Sequence, residues 1–375
     1  TITKLTSDLE TEGITICYDE SVNFIPADFV DPKSTLIVLT PAIPQDHPQL
    51  LYFRENNYKI LKRAQVLGDI TRQSKGICIA GTHGKTTTST ITAHLLYQSQ
   101  VTCSAFLGGI SNNYNTNLLL SKDSNLVVIE ADEYDRSFHQ LTPYMAVITS
   151  VDADHLDIYD TPEAFRESFA HFASLISPGG ALIMKKGIDL QPELQKGVKL
   201  YRYSMDNGGD FYADKIKIAK GEIRFDFVTP TERIADVRLG VPVKINIENS
   251  VAAMALAWLN GVTAEELRVG ISSFSGIYRR FNVVYKSEKV IYMDDYAHHP
   301  SELNASITSI RELYPGRKIT GIFQPHLYSR TRDFAKDFAE VLSSLDELIL
   351  LDIYPARELP IEGVSAENIL SDVKL

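Results

Sequence analysis

The sequence predicts an α/β protein of three domains, and three observations carry that reading. Apolar runs of strand length alternate with amphipathic segments of helical period along most of the chain. A buried strand, a glycine turn and a helix follow one another directly from Gly76 onward. At 375 residues the chain exceeds what one ordinary core accommodates, so two or three domains of common size are expected.

The first part reads as a small α/β unit, with strands expected in GITICYD at 13–19 and STLIVLTPAI at 34–43, followed by LLYFRENN and NYKILKRAQVLGDI. After a polar TRQSK pause, GICIA at 76–80 gives a buried strand that leads into a helix beginning at Lys85. LVVIE at 126–130 and MAVITSV at 145–151 have the length of interior parallel strands, and PEAFRESFAHFASLI at 162–176 has a helical period, which together make a doubly wound pattern. Between Gly187 and Gly240 the runs KIKIA, EIRFDFV and ADVRLG predict an antiparallel extension of the same domain. SVAAMALAWLNG at 250–261 reads as a buried helix ending at Gly261. A third strand-helix series then runs through KVIYMDD, ELNASITSIRELY, KITGIFQP, TRDFAKDFAEVLSSL and ELILLDIYP.

Composition narrows the function classes. A net charge of -11 with no basic run argues against nucleic acid as the main partner, so an anionic ligand needs local cationic pockets. Hydrophobic residues at 44% are ordinary for a water-soluble chain, and no stretch approaches the ~18 uninterrupted apolar residues of a membrane span. Cys17, Cys78 and Cys103 are odd in number and lack C-x-x-C spacing, which suggests neither a disulfide framework nor a zinc site and points to the cytoplasm. The opening TITKLTSDLE has neither an initiator Met nor an export signal pattern, and the chain is expected to be trimmed.

The strongest local feature is GTHGKTTT, Gly81, Thr82, His83, Gly84, Lys85, Thr86, Thr87 and Thr88, set between strand and helix. Glycine-freed backbone N–H groups at a helix N-terminus cradle phosphates, Lys85 suits the γ-phosphate and the Thr86 hydroxyl suits Mg²⁺. The spacing departs from G-x-x-x-x-G-K-[ST], because position 79 is Ile, and the bland alternative is a glycine turn with an exposed lysine. Glu130 ends LVVIE inside EADEYD, at the carboxyl end of a strand, where a metal-bound triphosphate needs a carboxylate. A solvated acidic loop of Glu130, Asp132, Glu133 and Asp135 is the competing reading. His155 in DADHLD follows the next strand and suits a second metal, although alone it reads as structural.

GTHGKTTT, EADEYD, DADHLD, INIENSVAA, YRRF, DDYAHHP and FQPHLYSRTRDF stand in the order and at roughly the intervals found in the Mur ligase superfamily, and the chain resembles that superfamily from about residue 5 to its end. Within it the chain is most similar to the branch that joins L-alanine to UDP-N-acetylmuramate. The resemblance implies a Rossmann-like N-terminal domain over 1–74, a central P-loop ATPase-type parallel-sheet domain over 75–274 and a Rossmann-like C-terminal domain over 275–375. A first βα unit is expected to be missing, and the last domain to stop early. The implied cofactors are ATP and Mg²⁺, with Mn²⁺ as a substitute, and Thr86, Glu130 and His155 are the implied metal residues.

By the same resemblance Asn246 and Asn249 contact adenine, with Ile245 where a histidine is common. Arg280 and Asp295 hold the ATP phosphates and ribose, and Tyr296, His298 and Arg330 surround the incoming amino acid. Leu327 stands where some members carry a second arginine, and Phe169 stands where some carry a carbamoylated lysine. Gly108 and Gly109 in FLGGISNNYNTN are implied contacts for the muramyl part of the substrate. On the residues alone, Asn246 and Asn249 read equally as a helix cap and its neighbour, the arginines as a surface pair, the histidines as core or turn residues, and the glycines as a plain turn. His298 either orients or deprotonates the amino acid. Two alternatives stand beside the implied activity: a ligase adding a tripeptide to the same UDP-sugar, and a P-loop kinase or nucleotide-gated module that forms no amide. A hinge is expected near Ser272 to Gly276, where glycine eases backbone rotation.

Overall fold

The structure is a computed structural model that describes residues 2–374 apart from 41–42, 153–155, 220 and 357. The first domain opens with helix α1 (Lys4–Thr11) and pairs strand β1 (Leu36–Leu39) in parallel with β2 (Lys59–Lys62), joined by α2 (Pro48–Glu55). Helix α3 (Arg63–Gln73) runs straight from this pair into the central domain. The strand expected at 13–19 does not form. That segment is largely exposed at Ile14 and Cys17, and the carbonyls of Asp19 and Ser21 accept from the Gln49 side-chain amide. No described strand lies beside it to take a ladder, and an alternating pattern without a partner edge stays coil.

The central domain is a ten-stranded sheet. Its strands are β3 (Lys75–Ala80), β4 (Ser104–Ser111), β5 (Thr116–Leu119), β6 (Leu126–Glu130), β7 (Pro143–Ile148), β8 (Ala181–Lys185), β9 (Lys199–Ser204), β10 (Phe211–Ala219), β11 (Glu222–Val228) and β12 (Arg233–Arg238). The order is β12-β11-β10-β9-β8-β7-β3-β6-β4-β5, parallel from β10 to β4 and antiparallel at both flanks. Strand β3 is buried from Gly76 to Ala80 because it lies in the middle of the parallel stretch, with β6 on one side and β7 on the other. Its alternate side chains enter two cores. Ile77 and Ile79 pack with helices α4 (Lys85–Tyr97), α7 (Ile245–Leu259) and α8 (Ala264–Ser273). Cys78 and Ala80 pack on the other face with α6 (Pro162–Ser174), which follows the short α5 (Leu156–Tyr159). Helix α7 starts five residues before the expected apolar run, and residues 249–257 along it are all buried.

The third domain pairs β13 (Asn282–Lys286) with β14 (Ile291–Asp294) antiparallel. Helix α9 (Pro300–Leu313), β15 (Thr320–Phe323), α10 (Tyr328–Leu342), β16 (Glu347–Leu350) and α11 (Glu367–Leu370) follow, with β15 and β16 parallel. Its own core gathers Ile307, Phe323, Phe338, Leu342, Leu345 and Ile369. None of the described helices is long and apolar enough to cross a membrane.

The connector at Ser272–Gly276 is tied down rather than free. Asn113 Nδ2 donates to Ser273 O at 2.8 Å, and Ser275 N donates to Asn113 Oδ1 at 2.8 Å. Asn112 N donates to Gly276 O at 3.0 Å, Tyr278 N to Ile110 O at 2.9 Å and Asn112 Nδ2 to Asn282 Oδ1 at 2.9 Å, so the chain stays tied to the central domain well past Gly276. Just beyond, Arg279 (φ 61°) and Phe281 (φ 44°) take left-handed backbone conformations, which non-glycine residues rarely adopt.

Candidate active site at the phosphate loop

Strand β3 delivers the chain to the carboxyl edge of the sheet, and the turn Gly81–Gly84 carries it into α4. Gly84 has φ 81°, and a Cβ there would stand 2.7 Å from Asn249 Oδ1; a Cβ on Gly81 would stand 2.0 Å from Thr149 Oγ1. Both glycines are therefore required by close approach as well as by backbone conformation. The loop is braced to the segment after β7: His83 N donates to Ser150 Oγ at 2.8 Å, Thr149 Oγ1 to His83 O at 2.5 Å, and Thr82 Oγ1 to Asp152 O at 2.7 Å. No side chain caps α4, so the unsatisfied N–H groups of its first turn remain for an anion.

Two carboxylates and one ammonium meet behind this turn. Glu130 closes β6 beside Ile79 of β3, and its Oε1 accepts from Thr86 Oγ1 at 3.1 Å. Gly108 of β4 makes room for it, since a Cβ there would lie 2.1 Å from Glu130 Oε2. A Cβ on Gly109 would stand 2.7 Å from the Ile277 side chain and 3.2 Å from that of Thr86, so both glycines of FLGG are explained by packing around the site. Lys85 Nζ donates to Gly81 O at 2.7 Å and to Glu133 Oε1 at 2.7 Å. Burial pushes the Glu130 carboxyl above its usual range, against the Thr86 hydroxyl, Lys85 and Arg280, which favour the ionised form. Burial also raises Glu133, opposed by Lys85.

Glu130 Oε2 is buried without a partner. A hydroxyl and a carboxylate with a spare oxygen form a hard, all-oxygen donor set, which fits a magnesium ion that takes its other ligands from water and phosphate. No group of three or more His, Cys, Asp or Glu able to hold a metal occurs among the described residues, and a phosphate-bound magnesium needs none. His155 lies outside the described residues.

The other expected nucleotide residues converge from two domains on a cleft of about 320 Å³, which His83, Gly84, Thr87, Asn246, Asn249, Arg280 and Asp295 all line. Asn246 and Asn249 do not cap α7, whose N-cap is Lys244 without a side-chain bond. They bond to each other at 3.2 Å, and Thr88 Oγ1 of α4 donates to Asn249 Oδ1 at 3.3 Å, which docks α7 against the phosphate-loop helix. Asp295 is held within the third domain, accepting from Phe281 N at 3.1 Å and from the Ser306 hydroxyl.

Tyr296, His298 and Arg330 gather in a separate third-domain cluster. His298 Nδ1 bonds Tyr296 O at 3.0 Å, and an Arg330 N–H reaches His326 Nδ1 at 3.3 Å. The His326 ring stacks on Tyr354, and burial together with Arg330 and His298 lowers its pKa. The Arg330–His326 contact could have been read from the i, i+4 spacing in HLYSR. Glu133 was named only as one member of an acidic loop; that it pairs with Lys85, 48 residues away, has no sequence signature. Phe169, buried in the core against Phe138 and Phe165, offers no polar group.

Residues 2–75 match the Mur ligase family catalytic domain, 79–257 the Mur ligase middle domain and 279–375 the Mur ligase glutamate ligase domain. Over 371 residues the chain is 61% identical to a UDP-N-acetylmuramate--L-alanine ligase of Parabacteroides distasonis, covering 99% of this chain and 80% of that protein. A ligase of the same name from Flavobacterium johnsoniae is 47% identical, with 98% and 79% covered. The solved structure of a UDP-N-acetylmuramate-alanine ligase of Thermotoga maritima superposes with a TM-score of 0.79 at 24% identity, over 99% of this chain and 80% of that one. A murein peptide ligase of Psychrobacter arcticus gives 0.65 at 22% identity, over 92% and 76%. Three matched domains in order, a phosphate loop at a parallel-sheet edge and high identity along the whole chain lead to one statement: the chain belongs to the Mur ligase family.

Proposed function

We propose that this chain is an ATP-dependent ligase that joins L-alanine to the carboxylate of UDP-N-acetylmuramate, in the synthesis of peptidoglycan precursors. The observation that carries the reading is the 61% identity, over 99% of the chain, to a ligase of that name. The tripeptide-adding alternative is not favoured, because the high-identity relatives are alanine ligases. In this reading residues 1–74 take the UDP-sugar, 75–274 the ATP and 275–375 the amino acid, and ATP with a UDP-linked substrate places the reaction in the cytoplasm.

A carboxylate is a poor electrophile, so its oxygen first takes the γ-phosphoryl group of ATP, and ADP leaves. The amine of L-alanine then attacks the acyl carbon, phosphate departs and an amide remains. Two anions must meet in the first step. The α4 N-terminus and Lys85 offset the phosphate charge, and Arg280 adds a second cation from across the cleft. A magnesium ion held by the Thr86 hydroxyl and the Glu130 carboxylate would supply further positive charge at the phosphates, and Mn²⁺ suits the same oxygens. His155 is assigned to that metal by family resemblance. Asn246 and Asn249 face the nucleobase end of the cleft, and Asp295 suits the ribose. Gly108 and Gly109 border the place for the muramyl group. Arg330 grips the alanine carboxylate, with Tyr296 and His298 beside the ammonium that must lose its proton.

Phosphate release measured with ATP and UDP-N-acetylmuramate tests this. Release is expected to depend on added L-alanine, and release dependent on the tripeptide alone would overturn it.

A further inference from the structure

We infer that Glu133 is a positioning residue for Lys85, resting on the reading that Lys85 serves the transferred phosphate. The Lys85 side chain is 15% exposed and that of Glu133 2%, with 2.7 Å between Nζ and Oε1. Glu133 is fixed from two directions. Its main-chain carbonyl accepts from the Tyr159 hydroxyl, and that ring is itself fully buried, bonded to Ser168 Oγ and covered by the Arg136 guanidinium at 4.8 Å. Its second carboxylate oxygen is buried with no partner, so the group has no alternative bond to turn to.

A carboxylate walled in this way cannot swing out to release the lysine when a nucleotide arrives. Lys85 therefore keeps Gly81 O and Glu133 Oε1 on two of its three N–H groups and points the third at the phosphate. Its third contact, Thr82 O at 3.5 Å, is the longest of the three and is the one that gives way. A four-methylene side chain anchored only on Gly81 O would sample several rotamers, and a misplacement of about 1 Å can cost roughly 10²-fold in rate. Glu133 thus acts on the transition state through the direction of the lysine rather than on nucleotide affinity.

The test is a cycle of Glu133→Gln, Lys85→Ala and the double variant, with kcat and KM for ATP measured on the full chain and folding checked by thermal melts. Glu133→Gln keeps the shape and is expected to lower kcat by roughly 10- to 100-fold while KM for ATP moves less than about threefold. In the Lys85→Ala background the same change is expected to have no further effect on kcat. Tyr159→Phe, which removes the hydroxyl that anchors the Glu133 carbonyl together with its long bond to Ser168, is expected to lower kcat by a smaller factor with the same KM pattern, and it serves should Glu133→Gln fold poorly. An unchanged kcat in both, a loss carried by KM, or an equal loss with and without Lys85 overturns the assignment. Because the cycle uses ratios of rates on whichever amino acid the wild type consumes, a wrong substrate leaves this result readable.

Discussion

The two walls of the nucleotide cleft are built differently. On the central-domain wall Lys85 and Thr86 of the first turn of α4 hold Glu133, just past β6, and Glu130 at its end, with the loop braced by Thr149 and Ser150. On the third-domain wall Arg280 and Asp295 stand beside exposed groups such as Tyr296, 47% accessible; Asp295 is held by Phe281 and Ser306, and Arg280 N by Ile277 O. The phosphate end is thus preorganised by a sheet that also forms the fold's main core, while the third domain keeps a core of its own and meets the central one through Leu313, Tyr314 and the Lys244–Glu312 pair. Electrostatic stabilisation needs fixed dipoles, whereas a second substrate needs a way in, and the two walls divide those demands.

The comparison can be broken most strongly at His94, where the rigid wall meets the connector. This buried histidine of α4 bonds Tyr114 OH at 2.8 Å and Ser273 Oγ at 3.0 Å, and burial lowers its pKa to about 4. A folded-state pKa below the unfolded value of 6.5 means that His94 costs no stability above pH 6.5. As pH falls from 6.5 towards 4 the unfolded chain takes a proton that the folded one refuses, and stability is lost across that window. The expected loss is about 3 kcal/mol. Urea midpoints at pH 7 and pH 4.5 should show it, and His94→Gln should shrink the difference between them. An equal pH dependence in wild type and variant would mean that the wall is not sealed there.

A second and smaller effect is expected on the third-domain wall. If Arg330 grips the amino-acid carboxylate, Arg330→Ala removes a charge-assisted pair of about 1.5–3 kcal/mol and raises KM for L-alanine by roughly 10- to 100-fold. KM for ATP should stay put, because Arg330 is bonded within the His326 cluster and not at the phosphate loop. A parallel rise in both constants would show that the two walls are energetically one site.

How much of this the sequence shows follows the same division. Strand β3, expected one residue later than it starts, the loop and the start of α4 at Lys85 were legible, because glycines, an apolar run and a helical period coincide there and tertiary context agrees with them. Glu130 was legible because it ends a strand beside the loop. GITICYD was misread, since alternation reports a half-buried surface only where a neighbouring strand exists. The roles of Glu133, Tyr159 and Thr149 were hidden, for each acts through a partner distant along the chain that only packing brings close.

The smallest expected effect concerns where the walls part. Glycine at 276 suggested a hinge at Ser272–Gly276, but Asn112 and Asn113 stitch that segment to the central domain, with Ser111 and Ile277 bridged alongside. Beyond Tyr278 the backbone passes through left-handed Arg279 and Phe281, with one further tie from Asn112 Nδ2 to Asn282 Oδ1 at 2.9 Å, and such conformations commonly mark switch points. Asn113→Ala removes the bonds to Ser273 and Ser275 while leaving 279–281 alone. Its three bonds are exposed, so their loss should lower stability by only about 1 kcal/mol in all, read as a small drop in urea midpoint. Small-angle scattering should find the wild-type radius of gyration in the empty variant and the same contraction with an ATP analogue and UDP-N-acetylmuramate. An expanded empty variant, or a contraction that disappears, would return the hinge to Ser272–Gly276 and make the stitching, rather than the strained backbone beyond it, the element that sets how far the two walls stand apart.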